Sequence, residues 1–348
     1  MRRSTRLAAV VAVFALALTG CGGKKEVEKA GSDALCAKTG DGPKIGLAYD
    51  VGGRGDDSFN DLAAKGVRDA AKELDATCTE QEADKGEPET AKEERLRTLA
   101  EADHNPVVAV GAAYAVATAK VAAEYPDITF AVVDGFTEAK NLTNLSFTPE
   151  QGAYLAGMAA GLKTETDKLG FVGGVKGPVI DPFAAGFQAG AKSVNPKVKV
   201  EFKWLSDALD DKAFKNIPGG RTAATALFDG GADIVFHAAG ESGNGVFEAA
   251  DTADKWAIGV DADQYLGADE KFKDNILTSS LKKVDVAVID FLKAFEAGTV
   301  KAGFDVYDLK RDGVGYSTSG GHIDDITSQL DEAKAKIIAG DIKVPNTL

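Results

Sequence analysis

The chain has 348 residues, of which 44% are hydrophobic and 27% charged, and its formal net charge is −14. This acidic balance argues against a surface that binds nucleic acid or an anionic membrane, because both would repel it. It leaves open a small ligand held in a cleft. The length exceeds one ordinary hydrophobic core, so we expect two lobes.

The N-terminal segment has the three-part form of a secretory signal. Arg2, Arg3 and Arg6 are followed by an apolar run over residues 7–18 and by small residues that end at Cys21. The apolar run is too short to span a bilayer comfortably, so it is interpreted as a signal rather than a membrane helix.

The end of this segment, "LTGC", resembles the lipobox of bacterial lipoproteins. The resemblance implies that residues 1–20 are removed and that Cys21 is acylated, palmitate included. Acyl chains would then anchor the protein at the extracytoplasmic face of the cell membrane. An ordinary signal peptide with a chance cysteine is the alternative. Residues 21–42, rich in glycine and charge, are predicted to form a flexible tether.

Two further cysteines, Cys36 and Cys78, form an even pair in a chain expected to be exported. Such a pair indicates a disulfide between the end of the tether and the first lobe. Two unrelated buried thiols are the alternative. His104, His237 and His322 are scattered and metal-ligand spacing is missing, so neither a metal site nor another cofactor is predicted.

From residue 44 onward, short β-branched runs alternate with alanine-rich segments of helical period. This alternation predicts an α/β fold, in which helices cover a parallel sheet. In the first block, the predicted strands are 44–50, 76–82, 106–112, 128–135 and 142–148, and the predicted helices are 58–74, 88–102, 113–126 and 150–162.

The same rhythm restarts at residue 168. Two successive blocks of similar size predict two Rossmann-like lobes rather than one long sheet. The second block has predicted strands at 168–174, 199–205, 232–240 and 256–263, with helices at 181–194, 219–231 and 244–254. A strand and helix over 275–298, an irregular or extended stretch over 304–317 and a last helix over 323–339 complete the chain.

Acidic residues close three of the predicted buried strands, namely Asp50, Asp134 and Asp261. Ligands of such lobes bind beyond the carboxyl ends of the strands. Carboxylates that converge there can accept hydrogen bonds from paired hydroxyls, such as the 2′ and 3′ groups of a ribose. Each one alone could equally be a helix cap, but three in the same relative position favour a shared cleft.

The stretch "DDSFNDLA" places Phe59 and Asn60 near the start of the first predicted helix, with Asp61 available to accept an early backbone N–H. Phe59 either packs on its own helix as a hydrophobic staple or presents a flat face to the cleft. The amide of Asn60, which is both donor and acceptor, makes the second interpretation suitable for a heteroaromatic ring. The chemistry of the stretch leaves both interpretations open.

Several spaced motifs extend this pattern from about residue 43 to the final helix. They include "KIGLAYDVGGRGDDSFNDLAAKGV", "FAVVDG", "FTPEQGAYLAGMAAGL", "PFAAGFQAG", "DIVFHAAGESGNGVFEAA" and "IGVDADQ". Together they resemble the basic membrane protein family, the PnrA-like purine nucleoside receptor lipoproteins.

The resemblance implies a type I periplasmic-binding-protein fold, in which two Rossmann-like lobes are joined by a multi-strand hinge. The expected N-terminal lobe comprises 43–163 plus 275–300, and the expected C-terminal lobe comprises 164–274 plus 301–348.

Carried over residue by residue, the resemblance also assigns a ligand site. Phe59 would stack on the base, Asp50 and Asn60 would contact the base or its surroundings, and Asp134 would line the pocket. The ribose side and the remaining wall would be formed by Gly240, Asp261, Lys282 and Phe183. Lys282 is preferred over the adjacent Lys283.

The family's second stacking aromatic has no clear counterpart, because "KWLSDALDDKAF" departs from the usual sequence of the motif. Trp204 is the nearest aromatic at that strand end and is the expected second face. Phe187, one turn after Phe183, is a further candidate for the pocket.

The function implied by the resemblance is that of an extracytoplasmic solute-binding lipoprotein. It would capture nucleosides, with purines favoured, and deliver them to an ABC transporter permease without an enzymatic step. One rival is the same scaffold acting as a sensor for a sugar or signalling molecule. Another is a nucleoside hydrolase in which the carboxylates perform the chemistry.

Overall fold

The computed structural model describes residues 34–84 and 86–348. The predicted signal segment 1–20, the lipidation predicted at Cys21 and most of the predicted tether lie outside the described residues. None of the helices in the described part of the chain is long and apolar enough to cross a membrane.

Six strands form the first sheet, and all of its pairings are parallel. These strands are β1 (Lys44–Ala48), β2 (Thr77–Gln81), β3 (Val107–Val110), β4 (Phe130–Val133), β5 (Leu142–Phe147) and β11 (Gly303–Tyr307), in the spatial order β11-β5-β4-β3-β1-β2. Every residue of β3 and β4 is buried. Their continuous apolar sequence follows from this position, since helices cover both faces of a parallel sheet.

The helices that cover this sheet are α1 (Phe59–Leu74), α2 (Glu89–Glu101), α3 (Ala115–Glu124) and α11 (Val284–Glu296). Helices α1 and α11 share one hydrophobic core with the sheet, and α2 and α3 share another with it. The amphipathic period of α1 and α11 matches this one-sided burial.

The second sheet also has six strands, in the order β12-β10-β9-β8-β6-β7, and only β12 runs antiparallel to its neighbour among the described residues. Their bounds are β6 (Lys168–Val175), β7 (Lys199–Ser206), β8 (Ile234–Ala238), β9 (Trp256–Asp261), β10 (Ile276–Lys282) and β12 (Val314–Tyr316). The associated helices are α4 (Pro149–Lys163), α5 (Asp181–Val194), α6 (Asp211–Phe214), α7 (Ile217–Asp229), α8 (Asn244–Ala253), α9 (Gln264–Gly267), α10 (Glu270–Lys273) and α12 (Thr327–Ala339).

Small residues allow α4 and α5 to approach each other closely. A Cβ atom at Gly157 would lie 2.1 Å from the carbonyl oxygen of Phe187, and one at Gly190 would lie 1.9 Å from that of Tyr154. The glycines of "AGMAAGL" and "AGFQAG" therefore serve backbone packing between these two helices.

Over the described residues, the chain passes between the two lobes three times: after β5, after β10 and after β11. Strand β5 is in the first sheet while α4 belongs to the core of the second lobe. Strand β10 is in the second sheet while α11 packs on α1. The third passage connects β11 of the first sheet with β12 of the second.

These passages correct the lobe boundaries expected from the sequence. Helix α4, expected within the N-terminal lobe, belongs to the core of the second lobe. Residues 275–300 do not belong to one lobe, because β10 pairs with β9 in the second sheet and only the following helix returns to the first. Strand β11, expected in the C-terminal lobe, pairs with β5 in the first sheet. The local sequence pattern can indicate a strand but does not specify which neighbour the strand pairs with.

Cys36 and Cys78 form a disulfide, the pairing that the even cysteine count favoured. Cys78 lies on β2, the edge strand of the first sheet. The bond therefore fixes the start of the described chain to the edge of the first lobe.

Candidate ligand-binding site

A cavity lies between the lobes, beyond the carboxyl ends of strands from both sheets. Its position is the one that ligands occupy in open parallel α/β sheets. The residues that line it are Asp50, Val51, Asp56, Phe59, Asn60, Ala112, Asp134, Val179, Ile180, Phe183, Leu209, Phe214, Ala238, Ala239, Gly240, Val260, Asp261 and Lys282.

Asp50 enters this cavity from the loop that follows β1. Its Oδ1 accepts a hydrogen bond from the backbone N–H of Val51 at 2.7 Å, and its own N–H donates to Oδ1 of Asn60 at 3.1 Å. Any Cβ at Gly111 would lie 1.8 Å from Oδ2 of Asp50, so the turn after β3 requires glycine. Burial raises the pKa of the Asp50 carboxyl to about 7.

Asp56 holds the start of α1 and was not singled out by the sequence motifs. Its carboxylate accepts hydrogen bonds from the backbone N–H groups of Ser58, Asn60 and Asp61, at 2.9–3.1 Å. The expected cap, Asp61, instead accepts from two N–H groups of the preceding loop. The contact depends on a tight loop that places the Asp56 carboxylate over the helix terminus. The sequence does not reveal the conformation of this loop, so the cap could not be predicted from it.

Phe59 is the first residue of α1 and Asn60 follows it, and both line the cavity. The Phe59 ring is half-buried and packs on one side against the core beneath α1. Asn60 is 2% exposed, and its Nδ2 donates to Oδ2 of Asp56 at 3.0 Å. With its Oδ1 bonded to the Asp50 backbone, the amide retains one N–H and one lone pair for another partner.

Asp261 enters the cavity from the second lobe, at the end of β9. Its φ of 61° turns the chain directly after the strand, a conformation that aspartate tolerates better than most residues. Oδ2 accepts a 2.9 Å hydrogen bond from the Ser58 hydroxyl of the first lobe. Burial raises the pKa of the Asp261 carboxyl to about 6.

Lys282, at the end of β10, forms an ion pair with Asp134, at the end of β4. Its ammonium also lies 4.8 Å from the ring centre of Phe59, 5.1 Å from that of Phe147 and 5.9 Å from that of Phe183. The adjacent Lys283 pairs with Asp312 outside the cavity. Lys283 lies just after the strand, at the N-cap of α11, where the chain has already turned away from the cavity.

The aromatic residues of the second lobe are placed differently from the expectation. Trp204 packs edge-on against Phe171, with ring centres 5.7 Å apart, and it does not line the cavity. Phe187 is fully buried against Phe236 and does not line the cavity either. Phe183 lines the cavity, as expected, while being only 3% exposed.

Phe214 supplies the second-lobe ring that the sequence did not identify. It ends α6 and lines the cavity together with Gly240. A Cβ at Gly174 would lie 2.4 Å from Cε1 of Phe214, so the ring packs directly on the end of β6. The aromatic at the end of "LDDKAF" was the available signal, but the segment's departure from the family motif obscured it.

His237 is fully buried beside Phe247, with ring centres 5.2 Å apart, and does not line the cavity. Burial lowers the pKa of its imidazole to about 4, so the ring is neutral at physiological pH. Within the described residues, no group of three or more His, Cys, Asp or Glu side chains is placed to hold a metal ion.

Hydrogen bonds and ion pairs across the cleft join the two lobes around the cavity. Besides the Lys282–Asp134 and Ser58–Asp261 contacts, Lys215 Nζ donates to the carbonyl oxygen of Gly52 at 2.9 Å. The lobes are therefore closed on the cavity, with an aromatic ring on each side and carboxylates at its polar edge. This arrangement can hold a flat ring and a group rich in hydroxyls.

Comparison with known proteins identifies the family. Residues 44–347 match the model of the Bmp family, described as ABC transporter substrate-binding protein PnrA-like. The chain belongs to this family. Its members are substrate-binding components of ABC transporters and act outside the cytoplasm.

Relatives within the family match nearly the whole chain. The CD4+ T-cell-stimulating antigen of Listeria innocua is 34% identical, and the match covers 99% of each chain. The ABC transporter nucleoside-binding protein BmpA of Lactococcus lactis is 32% identical, over 97% of this chain and 99% of BmpA. Basic membrane protein A of Borreliella burgdorferi is 30% identical, over 87% and 88%.

Solved structures agree with the architecture. An ABC transporter solute-binding protein from Aeropyrum pernix superposes with a TM-score of 0.74 at 26% identity, over 87% of this chain and 93% of the other. One from Conexibacter woesei gives 0.70 at 25% identity, over 87% and 99%. The Bmp-family chain therefore has the two-lobed type I periplasmic-binding-protein fold predicted from its sequence.

Proposed function

We propose that this protein captures nucleosides in the interlobe cavity and delivers them to an ABC permease. The observation that carries the proposal is that Phe59 and Asp261 face the same cavity from opposite lobes. An aromatic face suits a heterocyclic base, and a carboxylate suits the hydroxyls of a ribose. The name of the Lactococcus relative, a nucleoside-binding protein, supports the same ligand class.

The base is proposed to lie between Phe59 and Phe214, with Phe183 at its edge. Phe214 takes the place that the sequence assigned to Trp204. Asp50 and Asn60, beside Phe59, are proposed to contact the polar edge of the base. Purines are the favoured bases, because their two fused rings cover more of an aromatic wall than a pyrimidine does.

The ribose is proposed to lie against Asp261, Gly240 and Lys282. The ionised Asp261 carboxylate can accept hydrogen bonds from the 2′ and 3′ hydroxyls, while the backbone at Gly240 allows close approach. Asp134, as partner of Lys282, is proposed to orient the ammonium at this end of the cavity.

Transport is proposed to depend on closure of the lobes. A nucleoside that contacts Phe59 in one lobe and Asp261 in the other binds the closed state more tightly than the open state. Closure then changes the surface that both lobes present to the permease. Acylation of Cys21 is proposed to hold the protein beside that permease at the membrane.

The proposed role needs no bond to be broken. The carboxylates in the cavity are assigned to hydrogen bonds with the ligand rather than to acid–base chemistry. We therefore propose that the protein is not an enzyme.

Native mass spectrometry of the protein purified from its own host tests the ligand class, because a closed cleft retains its ligand well. We expect a bound molecule that, once released, has the mass of a nucleoside. A released sugar or an unrelated metabolite would contradict the proposal and favour the sensor alternative. If a nucleoside is added and free base accumulates at a rate proportional to the protein concentration, the protein is a hydrolase.

A further inference from the structure

We infer that the cavity selects unphosphorylated nucleosides by charge, and that Asp134 is the residue that determines this selection. The inference rests on the proposed function and specifies its ligand further. It follows from three features of the site: the pairing of Lys282, the space beyond that pair, and the balance of charges around both.

Lys282 is the one cationic side chain among the described residues that line the cavity. A lysine in such a position is a ready partner for a phosphate. Here, however, its ammonium is already paired with the carboxylate of Asp134. Their side chains are 4% and 15% exposed, so water screens the pair only weakly.

Space for a phosphate exists next to this pair. Beside it lies a larger chamber that opens to solvent, here called the vestibule. The vestibule is lined by Phe136, Phe147, Glu150, Lys176, Pro178 and Asp207, among others, and shares Asp134 and Lys282 with the cavity. A substituent on the sugar, placed at Lys282, can therefore extend into the vestibule, so volume alone does not exclude a phosphate.

The charges around the pair oppose a phosphate. The cavity sets the carboxylates of Asp134 and Asp261 against Lys282, and Asp50 and Asp56 add a partial negative charge, because burial raises the pKa of each to about 7. The vestibule adds Glu150 and Asp207 against Lys176. A phosphomonoester carries a charge of about −1.5 to −2 at neutral pH.

Binding a phosphate at Lys282 would place it beside Asp134, or would displace Asp134 and leave that carboxylate buried without a partner. Both arrangements are unfavourable. An uncharged nucleoside avoids them, because its hydroxyls can donate to the carboxylates. Removing the Asp134 charge while keeping Lys282 should therefore turn the same place into a phosphate site.

The test is the ratio of the dissociation constant of adenosine 5′-monophosphate to that of adenosine, with guanosine and its 5′-monophosphate as a second pair. Both are measured by calorimetry on the mature chain without its acyl group. We expect the wild type to prefer the nucleoside by at least about 100-fold, and Asp134→Asn to reduce this ratio by about tenfold or more. If the substitution alters lobe closure, it changes both dissociation constants by the same factor, and this factor cancels in the ratio.

Asparagine and glycine both tolerate the φ of 61° at this position, so Asp134→Gly provides a second variant if Asp134→Asn folds poorly. Asp207→Asn is the matched control: it removes the same charge from the vestibule and leaves the ion pair intact. Its ratio should change less than about threefold. Adding Lys282→Met to Asp134→Asn should restore the preference for the nucleoside, because the freed cation is then gone.

Three results would overturn the inference. The wild type could bind the monophosphate as tightly as the nucleoside, the ratio could stay unchanged in both Asp134 variants, or Asp207→Asn could change it equally. If the wild type binds none of the four compounds, the purine preference of the proposed function fails and the inference fails with it. That outcome is distinct from nucleoside binding with an unchanged ratio.

Discussion

The hydroxyl of Ser58 in the first lobe donates a hydrogen bond to Oδ2 of Asp261 in the second lobe, at 2.9 Å. Ser58 directly precedes Phe59, so the residue proposed to hold the ribose is tied to the start of the helix proposed to hold the base. Both residues are buried. This contact couples the two halves of the proposed site across the cleft.

Phe59→Ala should weaken nucleoside binding by about 1–3 kcal/mol, because a base loses one stacking face. Titration calorimetry measures this change. Phe59→Leu is the matched control: it retains apolar bulk on α1 and so preserves a staple, but it offers no ring. If Phe59→Leu binds nucleosides as tightly as the wild type, the residue acts as a staple and not as a stacking platform.

Asp261→Asn should lower the preference for adenosine over 2′,3′-dideoxyadenosine by about tenfold, since hydrogen bonds to a charged group contribute about 1.5–3 kcal/mol. The measurement is a pair of dissociation constants for each protein. Ser58→Ala, which removes the other partner of the same carboxylate, should keep the preference. An unchanged preference in Asp261→Asn would show that this carboxylate does not hold the sugar.

Asp56→Ala should reduce the free energy of unfolding by about 1–3 kcal/mol, because the N–H groups at the start of α1 lose their acceptor. Chemical denaturation monitored by circular dichroism provides the value. Glu73→Ala, an exposed change on the same helix, should cost less than about 1 kcal/mol. Equal losses in the two variants would refute the capping role of Asp56.

Asp50→Asn should gain stability relative to the wild type as the pH rises from 4 to 8. Burial raises the pKa of Asp50 from its ordinary value of 3.8 to about 7. The native state therefore retains a proton that the unfolded chain has lost, and the wild type loses stability over this range until the native carboxyl ionises. Asparagine has no such proton and still offers an acceptor to Val51.

The check is the difference in unfolding free energy between Asp50→Asn and the wild type, at several pH values. We expect the difference to favour the variant more at pH 8 than at pH 4. A difference that is constant with pH, or that favours the wild type at high pH, would contradict the raised pKa.

Much of this fold could be predicted from the sequence because its strands are continuous apolar runs. Val107–Val110 and Phe130–Val133 are buried on both faces, and the acidic residues that end such runs must lie at the same edge of their sheets. This rule predicts that Asp50 and Asp134 share one edge of the first sheet. That Asp261, at the same edge of the second sheet, faces them follows from the two-lobed fold that the family resemblance implies.

The exchange of strands between the lobes could not be predicted from local pattern. Ile276–Lys282 is a buried strand in either lobe, and only its hydrogen bonds to β9 decide between them. Likewise Trp204 and Phe214 are both aromatics in one segment. Trp204 lies on β7 and packs against Phe171, whereas the short helix α6 positions Phe214 so that it lines the cavity.

The most direct test of the central claim is calorimetric titration of the mature protein, without its acyl group, with a panel of purine and pyrimidine nucleosides, D-ribose and D-glucose. We predict saturable binding of at least one nucleoside, at one site per chain, with no heat of binding for either free sugar. Saturable binding of a sugar, together with no response to any nucleoside, would contradict the proposed function.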